Sequence, residues 1–146
     1  MSEIEAPTFR DADAGDAAWM ASALTDEGYP AGASDLARRL DRFLPPASGV
    51  RVAERDGVRL GFVAWHLLPR LEREDPIVRV IALIVDPGAR ERGVGAALLA
   101  EAERIAREAG AGYIEVTSGH HRPQATRLYE HVGFDSTLTT YLRKHL

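Results

Sequence analysis

Cysteine is absent from the 146 residues of this chain, and its absence excludes several kinds of site. Without cysteine there can be no disulfide, no thiolate metal ligand and no cysteine nucleophile. Histidine is also scarce, and none of the five histidines stands in an HExxH or similar ligand spacing. The sequence therefore predicts no metal site.

Long hydrophobic runs are missing as well. The longest ones, such as Val80 to Val85, are far shorter than the roughly 20 apolar residues that a membrane-spanning helix needs. The first seven residues contain two acids and no apolar stretch, unlike a signal peptide. We therefore expect a cytoplasmic protein with no membrane partner.

Positive charge is not in excess, because the formal net charge is -4. This balance argues against general nucleic-acid binding. A content of 45% hydrophobic and 27% charged residues is typical of a globular domain rather than a disordered chain. The length predicts a single domain over residues 1–146.

The spacing of apolar and turn residues predicts the element order β-α-α-β-β-β-α-β-α-β. This order corresponds to an α/β (α+β) domain with a mixed central sheet flanked by helices. Apolar residues are nearly continuous at 77–85, which favours a strand buried on both faces. Strands are predicted at 8–10, 50–54, 58–67, 77–85, 113–117 and within 134–144. Four helices are predicted: one that begins at Asp13, one at 34–43, one that runs from the glycine loop to 109, and one that runs from Pro123 to Gly133.

A loop rich in glycine and arginine joins the strand at 77–85 to the long helix. Gly93 and Gly95 allow the backbone to approach a ligand closely, and the first N–H groups of a helix suit a phosphate. Arg90 and Arg92 add positive charge beside them. The lysine of a Walker loop and the GxGxxG fingerprint are both missing, and the same glycines would also make an ordinary tight turn.

The spacing Arg90-x-x-Gly93-x-Gly95, preceded by Val85-Asp86-Pro87, resembles the R/Q-x-x-G-x-G/A signature of the GCN5-related N-acetyltransferase (GNAT) superfamily. Downstream, Ala125-x-x-Leu128-Tyr129-x-x-x-Gly133-Phe134 resembles the fourth-helix pattern of that superfamily. The two motifs and the helix between them cover about residues 77–135. The N-terminal third matches by element order alone.

The resemblance implies an acyltransferase that uses acetyl-CoA as cosubstrate and no metal. It implies transfer to a primary amine of a small molecule, a protein N-terminus or a lysine, by direct attack in a ternary complex. The pyrophosphate would bind the loop amides, and the pantetheine arm would lie along the fourth strand, where the sequence does not reveal the family's usual bulge. The cofactor-binding residues implied are Leu83, Ile84, Val85, Arg90, Glu91, Arg92, Gly93, Val94, Gly95, Ala96 and Arg122.

Two residues are implied as catalytic. Tyr129 matches the general acid of the family, since a phenol can protonate the thiolate that leaves. Glu115 lies on the fifth strand, where some members place a basic glutamate. Other candidate bases are His66, Glu72, Glu74, Asp75, His120 and His121.

Arg122 departs from the family pattern, because many relatives have asparagine at this position. An arginine could instead reach a phosphate or the acceptor. In this fold the segment at 26–33 usually shapes the acceptor site, and its residues Asp26, Glu27 and Tyr29 could contact a cationic amine.

Two alternatives to an active enzyme stay open. One is a non-catalytic acyl-CoA-binding sensor module on the same fold, and the other is a small nucleotide-binding domain that uses Gly93 and Gly95. The short link at 136–140 leaves room for a partner subunit, so a homodimer is open too.

Overall fold

The structure is a computed structural model that describes residues 6–118 and 122–146. Its strands are β1 (Thr8–Asp11), β2 (Ser48–Arg55), β3 (Val58–Leu68), β4 (Ile77–Val85) and β5 (Ile114–Val116). Its helices are α1 (Ala17–Asp26), α2 (Ala33–Leu40), α3 (Val94–Glu108) and α4 (Pro123–His131). Short 3-10 turns at Ala14–Asp16 and Pro87–Ala89 precede α1 and the glycine loop.

The five strands form one mixed sheet in the order β1-β2-β3-β4-β5. Neighbours are antiparallel except β4 and β5, which are parallel and joined through α3. Helices α1 and α2 cover one face, where Met20 and Leu36 pack on Phe62. Helix α3 covers the other face, where Leu98 packs on Val63 and Val80. The predicted α/β architecture is confirmed.

Helix α3 shows why the sequence predicts it well. Val94, Leu98 and Ala102 recur at helical spacing and are at most 1% exposed, so they fill the core beneath the sheet. On the solvent side Arg107 pairs with Glu103 at 2.7 Å, and Arg104 pairs with Glu108 at 2.8 Å. These i,i+4 pairs follow from the sequence spacing.

A buried carboxylate anchors the start of α1. The side chain of Asp16 is 1% exposed and accepts hydrogen bonds from Arg10, at 2.8 Å to each oxygen, and from Arg59 at 2.8 Å. Asp13 caps the same turn by accepting from the Gly15 N–H at 2.8 Å. The Arg10 guanidinium holds the pKa of Asp16 at about 2, although burial opposes this shift. Strands β1 and β3 are thereby tied to α1.

The last strand predicted within 134–144 is wrong, because residues 132–146 form turns and irregular chain. Local turns form here instead of a strand. Gly133 adopts a φ of +104°, and the Asp135 carboxylate accepts a hydrogen bond from the Thr137 N–H at 2.8 Å. Four large apolar side chains of this segment are exposed, at Leu138, Tyr141, Leu142 and Leu146.

The second helix is also shorter than its predicted span of 34–43. It ends at Leu40, because the N–H groups of Arg42 and Phe43 bond the carbonyls three residues earlier and tighten the last turn. Within the described ranges, no helix is long and apolar enough to cross a membrane.

Candidate active site

A bulge in β4 opens the sheet next to β5. Ala64 of β3 stands opposite Ala82, whereas the next residue, Trp65, stands opposite Val80. Ile81 therefore has no partner on β3 and is the extra residue of a bulge. Pairing with β5 covers Val78 to Val80 and stops there. The sequence could not show this bulge, because its residues are apolar on both sides of it.

Beyond the bulge, β4 keeps its pairing with β3 but not with β5. Leu83, Ile84 and Val85 remain in register with β3. Ile84 is 3% exposed, so its side chain belongs to the core. What this part of β4 offers on the β5 side is backbone, as expected for a strand that can receive another extended chain.

Asp86 organises the turn that leaves β4. One of its carboxylate oxygens accepts from the Gly88 N–H at 3.1 Å, and the other accepts from Trp19 Nε1 of α1 at 3.1 Å. Two residues of the following loop, Glu91 and Gly93, have φ values of +62° and +83°. A positive φ costs a residue other than glycine about 1 kcal/mol. The loop therefore holds the backbone of Glu91 in an unfavourable left-handed conformation.

The glycine loop ends at the N-terminus of α3. Gly93 is the N-cap residue in the left-handed region, and no described side chain caps the helix there. The first turn, which begins at Val94 and includes Gly95 and Ala96, contains no acid. Its leading N–H groups are therefore left for an anion, and the helix dipole favours one. These residues fit a phosphate.

Gly95 has a second role that the sequence does not reveal. A Cβ atom at Gly95 would lie 2.7 Å from Leu128 Cδ2 on α4. With glycine here, Leu128 of α4 packs directly on the first turn of α3, and a larger residue would require the Leu128 side chain to move. This contact brings the two motifs of the sequence together in space.

Tyr129, next to Leu128 on α4, is 8% exposed. Its ring meets Phe134 edge-on, with 6.0 Å between the ring centroids. No side chain or backbone group in the described ranges bonds its hydroxyl. Burial raises the pKa of Tyr129, and the positive charge of Arg122 partly opposes this. The phenol is therefore protonated at neutral pH and has a proton to donate.

Glu115 is held by a neighbouring strand. It stands opposite Arg79 in the β4–β5 ladder and accepts from Arg79 Nε at 3.0 Å and Nη2 at 2.8 Å. Both bonds end on Oε1, and the side chain is 29% exposed. No contact within the described residues joins Glu115 to Tyr129.

Arg90 and Arg122 meet at one carboxylate. Glu27, which follows α1, contacts Arg90 at 2.8 Å and Arg122 at 3.2 Å, and Asp26 contacts Arg90 at 2.9 Å. Asp26 and Glu27 were candidates for contacting the acceptor amine, yet their carboxylates face arginines. Arg92 is exposed and has no partner among the residues that the structure describes.

The remaining candidate bases are dispersed. His66 stacks on Phe43 with 5.4 Å between ring centroids, and Asp75 is held by Arg70 at 2.5 Å. Glu72 and Glu74 are exposed. The candidates His120 and His121 lie outside the described residues.

Comparison with known proteins agrees with this geometry. Residues 16–134 match the acetyltransferase (GNAT) family. An aminoalkylphosphonate N-acetyltransferase of Salmonella typhimurium is 34% identical over 92 residues, which are 63% of this chain and 60% of that protein. A mycothiol acetyltransferase of Sanguibacter keddieii is 32% identical over 126 residues, which are 82% of this chain and 40% of that protein. The chain thus spans less than two thirds of the length of either relative.

Solved structures share the fold. A transcriptional regulator from Bacillus halodurans C-125 superposes with a TM-score of 0.84 at 24% identity, covering 96% of this chain and 99% of that one. Aminoglycoside N-acetyltransferase AAC(6')-Iy in complex with CoA superposes with a TM-score of 0.78 at 17% identity, covering 95% and 94%. Because the family match covers most of its length, this chain belongs to the acetyltransferase (GNAT) family.

Proposed function

We propose that this chain is an N-acetyltransferase that moves an acetyl group from acetyl-CoA to a primary amine. The observation that carries the proposal is the continuity of two features along the chain. The β4 edge that β5 leaves open, from Ile81 to Val85, leads through the glycine loop to the uncapped N-terminus of α3. An amide-bearing arm joined to a pyrophosphate fits this arrangement, because the arm can pair with the open strand edge while the pyrophosphate binds the helix N-terminus that follows it.

The coenzyme contacts follow from this arrangement. The backbone of Leu83 to Val85 would hold the pantetheine arm as an added strand. The backbone N–H groups of residues 91–96 would hold the pyrophosphate. Arg90, Arg92 and Arg122 supply the positive charge nearby.

Tyr129 is the proposed general acid. When bound, acetyl-CoA supplies an acyl group activated as a thioester. Amine attack forms the new C–N bond, and breaking the C–S bond leaves a thiolate that takes a proton. The buried, protonated hydroxyl of Tyr129 is suited to give that proton. The chain has no cysteine, so no cysteinyl acyl-enzyme can form, which is consistent with direct transfer to the amine.

Glu115 is the proposed acceptor of the proton that the amine loses. Arg79 holds its Oε1 and so fixes the carboxylate at the β4–β5 ladder, just before the bulge. A proton could reach it through water, since the side chain is partly exposed.

A small amine is the acceptor that we propose to test first, because the names of two relatives refer to small molecules. The assay combines calorimetry of acetyl-CoA binding with a panel of amines, amino acids and peptides, in which release of the coenzyme thiol is followed. Binding together with thiol release that depends on the amine would support the enzyme. Tight binding without release for any amine would favour the non-catalytic acyl-CoA-binding module, and failure to bind would remove both.

A further inference from the structure

One carboxylate connects three separate parts of the chain at the proposed coenzyme site. Glu27 follows α1, Arg90 lies in the glycine loop, and Arg122 immediately precedes α4. Glu27 Oε1 lies 2.8 Å from Arg90 Nη2, and Glu27 Oε2 lies 3.2 Å from Arg122 Nη2. Two of the three arginines that the resemblance assigns to the coenzyme, Arg90 and Arg122, therefore share a single anion.

The geometry leaves both guanidinium groups able to bind a second anion. Each contact of Glu27 uses one of its oxygens and one terminal nitrogen of the arginine. A guanidinium has five N–H donors, so most of the donors of Arg90 and Arg122 are not used by Glu27. Glu27 can thus hold the arginines in place while they contact phosphate oxygens, and it need not be displaced.

We propose that Glu27 is a positioning residue for coenzyme binding, which holds Arg90 and Arg122 at the phosphate groups. The assignment rests on the proposed function, because it requires a coenzyme at the glycine loop. Long arginine side chains lose considerable rotamer freedom when they bind a ligand. A carboxylate that restrains both before binding reduces that loss.

Stability alone gives little reason for this cluster. The side chain of Arg90 is 45% exposed and that of Arg122 is 29% exposed. Ion pairs of this exposure contribute little to folding, typically about 0–1 kcal/mol. The cluster also reaches the proposed acid, since the charge of Arg122 acts on Tyr129. Its placement therefore serves the site more than the fold.

The test compares coenzyme A binding to the parent protein and to Glu27→Gln by calorimetry. Glutamine keeps the shape of the side chain but loses the charge that links the two arginines, while Arg90 keeps its contact with Asp26 at 2.9 Å. We expect the Kd for coenzyme A to rise about tenfold, within the range of coupling between neighbouring charged groups. The unfolding midpoint should stay within the error of the measurement.

Glu103→Gln is the matched control. Glu103 is likewise the partner of an arginine, Arg107 at 2.7 Å, but it is exposed on the outer side of α3. The control changes the net charge by the same amount and should leave the Kd unchanged. Loss of phosphate contacts should also make the Kd of Glu27→Gln less dependent on salt than that of the parent. A purely structural role would not change this slope.

Two further variants separate positioning from simple charge. Glu27→Asp keeps the charge but is one methylene too short to reach both arginines, so we expect weaker binding from it too. In an Arg90→Met/Arg122→Met background, Glu27→Gln should have no further effect on the Kd.

Several results would overturn the assignment. Unchanged or tighter binding by Glu27→Gln would show that Glu27 is neutral or competes with the phosphate. Full affinity in Glu27→Asp would show that charge alone matters. A parent protein that does not bind coenzyme A would instead overturn the proposed function, and this assignment with it.

Discussion

At the scale of single residues, the proposed acid Tyr129 and its neighbour Arg122 show how burial and charge act on one phenol. Burial raises the pKa of the phenol, and the nearby guanidinium moderates that rise. A general acid must keep its proton at the working pH and still give it up in the transition state. Burial and the charge of Arg122 act on the pKa of Tyr129 in opposite directions, and burial has the larger effect.

Tyr129→Phe tests the acid directly. The ring and its contact with Phe134 remain, so the fold and the coenzyme Kd should change little. Turnover should fall roughly 10²–10⁴-fold if the hydroxyl protonates the thiolate. If Tyr129 only packs in the core, removal of a hydroxyl that bonds no group of the described residues should leave the variant nearly fully active.

The dependence of kcat on pH tests the same role, because an acid predicts the direction in which kcat changes. If the phenol is the acid, it acts while it is protonated, so its contribution to kcat should be lost as the pH rises through its raised pKa. Because burial moves this pKa upward, the fall should come at a higher pH than for an exposed tyrosine. Stopped-flow or initial-rate measurements across alkaline pH should show this limb in the parent and not in Tyr129→Phe.

At the scale of elements, the first turn of α3 decides whether an anion can bind. Its leading N–H groups point away from the helix with no side chain to cap them among the described residues. Loops at such positions are usually closed by an acid or a hydroxyl, because uncapped N–H groups weaken a helix. The absence of an acid here keeps the turn open to a ligand.

Ala96→Glu should therefore separate binding from folding. A glutamate at the third helical position can reach back to the Gly93 N–H and stabilise the helix, while its charge occupies the place of the phosphate. We expect the thermal midpoint to be unchanged or higher and the Kd for coenzyme A to rise by about 100-fold, the effect of losing ~3 kcal/mol. Calorimetry and thermal unfolding measure the two quantities.

Ala100→Glu is the control for this change, since it adds the same charge one turn further along α3 at an exposed position. It should bind coenzyme A as the parent does. If the parent, Ala96→Glu and Ala100→Glu bind coenzyme A with equal affinity, the pyrophosphate does not bind at this turn.

The sequence predicts the elements of this fold better than the details of its site. Periodic apolar residues mark α3, and the glycine and proline residues mark the ends of α3 and α4, because local sterics determine both. The bulge at Ile81 and the Gly95–Leu128 contact depend on distant parts of the chain, so no local pattern shows them. The strand predicted within 134–144 is wrong because the apolar residues there do not alternate and a local turn forms at Asp135.

At the scale of the whole molecule, buried charge ties the N-terminal third to the sheet. Asp16 lies directly before α1 and accepts hydrogen bonds from Arg10 of β1 and from Arg59 of β3. Trp19 then connects α1 to Asp86 at the end of β4. The position of Glu27 at the far end of α1 is fixed through these contacts.

Asp16→Asn should lower the free energy of unfolding by about 2–3 kcal/mol at neutral pH, because it removes a buried anion from two arginines. The low pKa of Asp16 stabilises the folded state above the ordinary aspartate pKa, and this contribution is lost as the pH falls toward 2. The parent should therefore lose about 2 kcal/mol between pH 5 and pH 2 from this group, and the variant should not.

Urea unfolding at several pH values measures this difference. Asp56→Asn is the control, since Asp56 is 89% exposed in the β2–β3 turn and its partner Arg55 lies 3.9 Å away. Parallel acid profiles for the parent and Asp16→Asn would show that the buried pair contributes nothing to acid sensitivity.

The bulge at Ile81 has a further consequence for the sequence of β4. Before it, Val78 and Val80 face α3, whereas after it Ala82 and Ile84 face α1 and α2. One extra residue thus exchanges odd and even positions, so the strand consists of two short alternating segments of opposite phase. Each segment has its own requirement for which positions are apolar, and together they give the nearly unbroken apolar run. Deleting a single residue on either side would shift one segment against the other and turn core side chains toward the wrong face.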